Sequence, residues 1–169
     1  MSTIGFDTSN YTTSTAWTDG KTDIYVRPIL YVKDGERGIR QSDGVFQHMK
    51  LMPVMYEKLS EQIDFKDVKA VGVSTRPRCV EGSYMPVFLA GEGYAKVVAN
   101  TLGVPLYEFS HQDGHIMAGI YSSGSFELLE NDFISVHLSG GTTEILKSRY
   151  NEFNFDNEII GGSKDISAG

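Results

Sequence analysis

The sequence predicts an α/β fold in which a mixed β-sheet is followed by the beginning of a second, related lobe. Short runs rich in β-branched residues alternate with two longer stretches in which apolar residues recur at helical spacing. The strand–turn–strand pattern that opens the chain recurs near its end, at residues 4–16 and 136–145. We therefore expect a first lobe at residues 1–125 and the incomplete start of a second at residues 126–169.

The composition is that of an ordinary globular protein, with 40% hydrophobic and 22% charged residues and a net charge of −7. This charge does not favour a nucleic-acid-binding surface, and no apolar run is long enough to span a membrane. Cys79 is the one cysteine, so an internal disulfide is excluded. Because residues 1–7 also lack the features of a signal peptide, we expect a cytoplasmic protein with no membrane partner.

The first predicted element is a buried strand over residues 3–7 that ends on Asp7. A polar turn at residues 8–14 leads into a return strand at 14–17, and a third strand is predicted over 23–32. Hydroxyl and backbone N–H groups in such a turn can hold a phosphate. An ordinary hairpin stabilised by Ser and Thr side chains explains the same pattern, so the turn by itself leaves both interpretations open.

A helix is predicted over residues 45–63, after a polar loop at residues 33–44. Apolar residues recur three or four positions apart along it, which is typical of a helix face that packs on a core. Pro53 stands inside this pattern. We therefore expect a kink at Pro53 or a helix broken into two parts.

A strand over residues 68–74 runs into a loop at residues 75–84 that carries Arg76 and Arg78. Two arginines at the carboxyl end of a strand are suited to binding an anion. Plain surface charge is an equal alternative. The loop therefore has two open interpretations.

A second helix is predicted over residues 85–102, with Pro86 in its first turn. Gly103 is suited to cap its carboxyl end. The next strand, residues 104–108, begins directly afterwards. Together these elements give the order ββ(β)αβαβ.

Two histidines, His111 and His115, follow that strand at i and i+4. With Ser110 as N-cap and Asp113 three residues later, the run predicts a helix that places both imidazoles on one face. Such a pair is half of a divalent-metal site, at the strand end where ligands bind in open α/β sheets. The spacing also occurs by chance, and the glutamate of the HExxH metalloprotease motif is absent.

A second hairpin is predicted after a turn at residues 122–125. A strand over residues 133–138 enters a glycine-rich turn at 139–143 and returns over 144–147. This hairpin repeats the opening one, and two such turns facing each other would grip the phosphates of a nucleotide. The repeat favours the phosphate-binding interpretation of both turns.

Five motifs in the same order resemble the TsaD family, the tRNA threonylcarbamoyladenosine synthases once called glycoproteases or O-sialoglycoprotein endopeptidases. They are the opening strand and turn, the proline-bearing helix, the Val-Pro strand with its histidine helix, the Ser-Gly-Gly loop and the final segment, at residues 4–9, 45–63, 103–115, 138–143 and 158–169. The family belongs to the actin/hexokinase/heat-shock-chaperone ATPase superfamily. The resemblance therefore implies a ribonuclease-H-like lobe with a mixed sheet, plus the first hairpin of a second lobe.

The resemblance also implies the residues of a site. An iron or zinc ion would be held by His111 and His115 with an aspartate of the second lobe, and the superfamily makes ATP with Mg²⁺ a further candidate ligand. No catalytic acid or base is assigned. Substrate or nucleotide would contact the two hairpin turns and the final segment, at Asp7, Ser9, Asn10, His137, Leu138, Ser139, Gly140, Gly141, Thr142 and Asp165.

The implied reaction is transfer of a threonylcarbamoyl group from threonylcarbamoyl-AMP to N6 of adenosine in tRNA, with TsaB-like and TsaE-like proteins as partners. The alternatives are a non-catalytic TsaB-like dimerisation partner and a small-molecule kinase of the superfamily. The histidine pair argues against both, whereas the loop with Arg76 and Arg78 favours the first. An exposed sheet edge would also predict a homodimer.

Three departures from the family pattern matter. Residues 75–78, Thr-Arg-Pro-Arg, replace a glycine-proline-glycine loop, and Ile166 follows Asp165 where the family has a second acid. The motifs stop at Gly169, so we expect the N-terminal part of a longer protein. The third metal ligand would lie outside these residues, and two histidines alone are expected to bind metal weakly.

Overall fold

A computed structural model describes residues 1–36, 38–138 and 143–164. The chain forms two compact units. The first contains Met1–Pro77 and Gly82–His111, and the second contains Arg78–Glu81 and Gln112–Gly169. The lobe boundary expected at residue 125 stays a prediction.

The first unit is built on a five-stranded mixed sheet, as the sequence predicts. Its strands are β1 (Ser2–Ser9), β2 (Thr12–Thr18), β3 (Asp23–Val26), β4 (Val68–Arg76) and β5 (Leu106–Ser110). Their order across the sheet is β3-β2-β1-β4-β5. The strands β1, β2 and β3 pair antiparallel, whereas β4 pairs parallel with β1 and with β5. An opening meander is thus extended by parallel strands, which need helical crossovers.

Two helices supply those crossovers: α1 (Gln41–Ser60) and α2 (Phe88–Leu102). The predicted loop at residues 33–44 is too long at its carboxyl end, because α1 already begins at Gln41. A short 3-10 helix, Phe65–Asp67, leads from α1 into β4. Gly103 ends α2 with a φ of 65°, the left-handed conformation that glycine adopts without a Cβ penalty, so the predicted C-cap is confirmed.

The helix α1 runs unbroken over Pro53, so of the two predicted alternatives the division into two parts is wrong, and the kink stays a prediction. Proline has no N–H, and the carbonyl of Met49, four residues earlier, therefore loses its usual helical donor. The Tyr94 hydroxyl of α2 donates to this carbonyl at 3.2 Å. A side chain of a neighbouring helix thus satisfies the group that the proline leaves without a partner.

The core of the first unit lies where the two helices pack on the sheet. It joins alternate residues of β1 and β4 to the inner faces of α1 and α2, namely Ile4, Phe6, Met52, Leu59, Val68, Val71, Val73, Ala95 and Ala99. All of these side chains are almost fully buried. Because these buried side chains hold β1 against the two helices, they also hold in place the polar residues at its carboxyl end.

The second unit contains α3 (His111–Ser123), whose first residue belongs to the first unit, and a three-stranded antiparallel sheet. The strands are β6 (Phe133–Leu138), β7 (Thr143–Asn151) and β8 (Asn154–Gly162). The sequence predicts β6 with its observed bounds, but it does not predict β8. Phe155 is the one fully buried residue of β8, and most others are exposed, so the apolar alternation that marks a strand is weak.

Several boundaries differ from those predicted, and α2 begins at Phe88, after Pro86, rather than at residue 85. The strand β3 ends at Val26 rather than at residue 32, and β5 covers residues 106–110 rather than 104–108.

Ser110 stands directly before α3, where an N-cap residue belongs. Asp113 is buried, and its Oδ1 accepts a hydrogen bond from the Phe155 amide at 3.3 Å.

Within the described part of the chain, no helix is both long enough and apolar enough to cross a bilayer.

Candidate functional site

Asp7, close to the end of β1, is bonded to His111 in the first unit. Its Oδ2 lies 2.7 Å from His111 Nδ1, and its Oδ1 accepts the Ser9 amide at 2.9 Å. Burial by itself would raise the pKa of Asp7, but the bonds from His111, the Ser74 side chain and the Ser9 amide lower it more. The pKa of this carboxyl therefore lies below its ordinary value, and Asp7 is ionised at neutral pH.

The ionised Asp7 fixes the tautomer of His111. A carboxylate only accepts hydrogen bonds, so Nδ1 of the imidazole carries a proton. Metal-binding histidines have this same carboxylate support, which orients the ring and raises its basicity. The donor set therefore fits a metal at His111, although no group of three His, Cys, Asp or Glu side chains within residues 1–36, 38–138 and 143–164 is already arranged around one point.

Thr8 joins the end of β1 to the start of α2. Its hydroxyl donates to the Val87 carbonyl at 2.9 Å and accepts from the Gly91 amide at 3.0 Å. Val87 and Gly91 are four residues apart, so the Thr8 hydroxyl bonds both the carbonyl and the amide of the first turn of α2. The sequence places Thr8 in a polar turn and gives no sign of this bond, because its partners are 79 and 83 residues away.

Asn10, in the turn after β1, is held by the first residue of α1. The side-chain amide of Gln41 donates to Asn10 Oδ1 at 2.8 Å, and its Oε1 accepts from the Val87 amide at 3.5 Å. Ser9 and Asn10 are both half-buried. The turn predicted to meet a phosphate is therefore anchored to both helices, while its binding of a nucleotide stays a prediction.

His48 of α1 lies behind this turn and is completely buried. Its Nδ1 is 2.8 Å from the Thr13 hydroxyl, and Nε2 makes no hydrogen bond to any residue in the described ranges. Burial lowers the pKa of His48, against smaller opposing effects of the Ser9 carbonyl and the Asp7 charge. His48 is therefore a neutral structural residue, which its sequence spacing alone does not reveal.

We expect the free energy of unfolding to fall as the pH is lowered below about 6.5, the ordinary pKa of histidine. The folded pKa of His48 is depressed, so the unfolded chain takes up a proton first and folding loses stability in that window. Urea unfolding between pH 7.5 and pH 5 would measure this. His48→Gln, which can still bond to Thr13, should flatten the difference, and an equally steep dependence in the variant would contradict the assignment.

In the second unit, the rings of His115 on α3 and His137 on β6 lie with centroids 5.6 Å apart. Both line a cavity of about 520 Å³ whose other walls are mostly apolar residues of α3 and β6. Gln112 also lines it. This side chain is buried, its Oε1 accepts from Asn157 at 3.5 Å, and its Nε2 has no hydrogen-bond partner in the described structure. The polar end of the cavity thus offers two imidazoles and an amide.

Arg78 forms an ion pair with Glu144 of β7 within the second unit, with Nη2 and Oε1 2.8 Å apart. Arg76 belongs to the first unit, and its Nη1 donates to Thr75 Oγ1 at 3.1 Å. The two arginines therefore have different partners: Arg78 pairs with a carboxylate of the protein, and Arg76 bonds a neighbouring hydroxyl. Anion binding by this loop stays a prediction.

Leu138 ends β6 and is 58% exposed. Five further residues assigned to nucleotide binding lie outside the described residues: Ser139, Gly140, Gly141, Thr142 and Asp165. Among the described candidates, Asp7, Ser9, Asn10 and His111 belong to the first unit, whereas His115, His137 and Leu138 belong to the second.

A family model described as TsaD, tRNA N6-adenosine threonylcarbamoyltransferase, matches residues 38–167. A protein of that name from Christiangramia forsetii is 32% identical over 121 residues, which cover 70% of this chain and 33% of the relative. Another, from Pyrobaculum calidifontis, is 28% identical over 171 residues, which cover 98% of this chain and 48% of the relative. The chain thus spans about a third to a half of the length of these curated relatives.

Two solved structures share the fold. YeaZ from Pseudomonas aeruginosa has a TM-score of 0.54 at 12% identity, covering 95% of this chain and 65% of that one. A putative N-acetylmannosamine kinase from Listeria monocytogenes has a TM-score of 0.51 at 15% identity, covering 96% and 52%. The predicted fold class, an α/β lobe with a mixed sheet, is confirmed.

Proposed function

Because the chain belongs to the TsaD family of tRNA N6-adenosine threonylcarbamoyltransferases, we propose that it takes part in forming N6-threonylcarbamoyladenosine in tRNA. Its substrates would be threonylcarbamoyl-AMP and a tRNA adenosine, and the compartment would be the cytoplasm. The chain covers only part of the length of its relatives. The complete transfer reaction is therefore proposed for this chain acting together with a counterpart of the portion that the relatives have in addition.

The proposed reaction is an acyl-type transfer. The N6 amine of adenosine attacks the carbamoyl carbon of threonylcarbamoyl-AMP and forms a C–N bond. The bond from that carbon to the phosphate oxygen breaks, AMP leaves with the bonding electrons, and the amine loses a proton. The protein must therefore hold an adenylate phosphate and orient a polarised carbonyl.

The observation that carries this proposal is the 2.7 Å bond between Asp7 and His111. It orients the imidazole through Nδ1, so Nε2 would be the atom that meets a metal, as in histidines supported by an outer carboxylate. His111 and His115, four residues apart at the start of α3, would then supply ligands to an iron or zinc ion. Such an ion, when bound, supplies Lewis-acid polarisation of a carbonyl or phosphate oxygen.

The residues proposed for the adenylate are those of the two hairpin turns. Ser9 and Asn10 stand in a turn that is held by bonds from Asp7 and Gln41. Because the turn is already ordered, a ligand would bind it with a smaller loss of conformational entropy. In the second hairpin, His137 and Leu138 lead into the glycine-rich residues 139–142, where backbone N–H groups could approach a phosphate closely. ATP with Mg²⁺ is a second ligand that the same turns would suit.

The proposed partners are tRNA and the TsaB-like and TsaE-like proteins of the same modification. A net charge of −7 gives the chain itself little attraction for a phosphate backbone. The basic surface that tRNA requires would therefore come from partner proteins or from the portion that the longer relatives have. A homodimer remains a further proposal.

A second candidate function, a non-catalytic interaction protein, is favoured by the outer face of α1. Phe46, Met49 and Val54 are 63%, 47% and 50% exposed, opposite the buried face of the same helix. Apolar side chains grouped in this way are typical of protein-binding surfaces. In this reading the chain would support the modification by another enzyme, and its histidines would be dispensable.

The test is threonylcarbamoyl transfer to tRNA by the purified protein, reconstituted with TsaB-like and TsaE-like proteins and threonylcarbamoyl-AMP. Modified nucleosides would be quantified by mass spectrometry. We expect His111→Ala combined with His115→Ala to lower the transfer rate by about 100-fold or more, because both proposed ligands are removed.

Val97→Ala, at an exposed position of α2, is the control and should leave the rate unchanged. A double histidine variant that transfers as fast as the parent would exclude the metal-dependent transferase and support the interaction protein. No transfer by the parent protein, under conditions in which a longer relative is active, would exclude catalysis by this chain.

A further inference from the structure

We propose that β6 of the second unit is the surface through which two copies of this chain associate. The two β6 strands would pair edge to edge and antiparallel, about a two-fold axis. This pairing would join two three-stranded sheets into one continuous sheet. The pair would form without tRNA or adenylate, so it stands apart from the proposed transfer reaction.

The strand β6 lies at one end of its sheet, whose order is β6-β7-β8. On one side it pairs with β7 along its whole length, from Phe133 to Leu138. On its other side, the described residues place no strand. An edge strand directs backbone N–H and C=O groups of alternate residues away from its own sheet, and these groups form a template for a further strand.

Space for a further strand is open along β6. All six of its residues line the cavity of about 520 Å³ in the second unit. Successive side chains of a strand point to opposite faces, so a cavity that all six reach extends around the edge from one face to the other. Ile134, Val136 and Leu138 are each 58% exposed. The edge is therefore accessible to another chain.

The absence of charge suits β6 to meet its own copy. In a two-fold pair the residues near the axis approach identical residues, so a charged strand repels itself. The other edge strands of the two described sheets carry acids: Asp23 in β3, Glu108 in β5, and Asp156 and Glu158 in β8. The strand β6, Phe-Ile-Ser-Val-His-Leu, contains no Asp, Glu, Lys or Arg. It thus lacks the charges that usually protect an edge from pairing.

Pairing centred on Val136 matches the exposed side chains. It places Val136 opposite Val136 of the second copy and Ile134 opposite Leu138, so that apolar residues meet along one face. A register centred on Ser135 would instead place Leu138 opposite Asp132, next to the strand. The side chains therefore favour the register centred on Val136.

The pair should be a reversible dimer. Strand pairing over the six residues of β6 buries less area than the roughly 1,600 Å² of a standard interface, so association is expected in the micromolar range. Sedimentation equilibrium of the whole purified chain over a range of concentrations would measure it. The variants are Val136→Lys, Val136→Glu and an equimolar mixture of the two.

Ile160→Lys is the matched control, because Ile160 is a 52% exposed apolar residue of β8, the edge strand at the other end of the same sheet. Circular dichroism and urea unfolding would show that each variant is folded. Since the Val136 side chain is largely exposed, a charged residue there need not enter the core.

We expect Val136→Lys and Val136→Glu each to weaken dimerisation by about 10-fold or more, because two like charges then meet at the axis. Ile160→Lys should dimerise like the parent. The mixture of Val136→Lys with Val136→Glu should associate again, since opposite charges then meet at the same position. This recovery requires that position 136 of one copy lies against position 136 of the other.

Three results would overturn the proposal. They are a parent that stays monomeric at about 100 µM, well above the low micromolar range; a folded Val136→Lys that dimerises like the parent; and a mixture of the two charged variants that shows no recovery. A monomeric parent that instead binds a peptide with the sequence of residues 68–74, with binding lost in Val136→Lys, would assign the edge to a strand of another protein.

Discussion

Replacing Gly91 with alanine is expected to lower the free energy of unfolding by about 2 kcal/mol, within the usual cost of overfilling a packed site. A Cβ at this position would lie 2.8 Å from Thr8 Oγ1 and 3.2 Å from Thr8 Cγ2. Thr8 cannot turn aside freely, because its buried hydroxyl bonds both the Val87 carbonyl and the Gly91 amide. The clash therefore outweighs the better helix propensity of alanine.

Gly93, two residues along α2, provides the matched control. A Cβ there would meet no atom within 4 Å, so Gly93→Ala should raise the free energy of unfolding by about 0.5–1 kcal/mol through helix propensity alone. Urea unfolding of both variants measures the contrast. If Gly91→Ala is as stable as Gly93→Ala, the contact of β1 with α2 through Thr8 does not constrain the fold.

The replacement Asp7→Asn is expected to weaken binding of Zn²⁺ to the chain by about 10- to 100-fold, the usual effect of removing a carboxylate behind a metal-binding histidine. The asparagine keeps the shape of the side chain and can still accept the Ser9 amide. It loses the charge that fixes the proton on Nδ1 of His111. Calorimetric titration with ZnCl₂ would measure the change in affinity.

Asp19→Asn is the control for that variant. Asp19 is an exposed carboxylate of the same meander, and its Oδ1 accepts the amides of Lys21 and Thr22 in its own turn. It should bind Zn²⁺ like the parent. Combining Asp7→Asn with His111→Ala should add little to the effect of His111→Ala, since both act through one imidazole. Full additivity would indicate that Asp7 does not act through His111.

The strands that the sequence predicts well are those with a clear pattern. Residues 3–7 and 134–138 alternate apolar and polar side chains, and both lie in strands close to the expected positions. The strand β8 escapes prediction because its pairing with β7 depends on tertiary contacts around Phe155. The unbroken course of α1 at Pro53 also depends on a distant residue, Tyr94.

The same distinction holds for the candidate site. Local spacing indicates the histidine helix and the polar turn after Asp7, because those patterns lie within a few residues of each other. The bond between Asp7 and His111 joins positions 104 residues apart, and only folding reveals it. The pairing of Glu144 with Arg78 has the same origin. Sequence reasoning thus finds single residues of a site more readily than it finds their partners.

The bond from Tyr94 to the Met49 carbonyl also affects how the first unit folds. An isolated α1 would have a missing rung at Pro53, and its two halves would propagate helix to each other poorly. The rung is completed only when α2 is helical and in place. The two helices should therefore form and melt as one cooperative unit, with hydrogen exchange across the middle of α1 limited by the opening of α2.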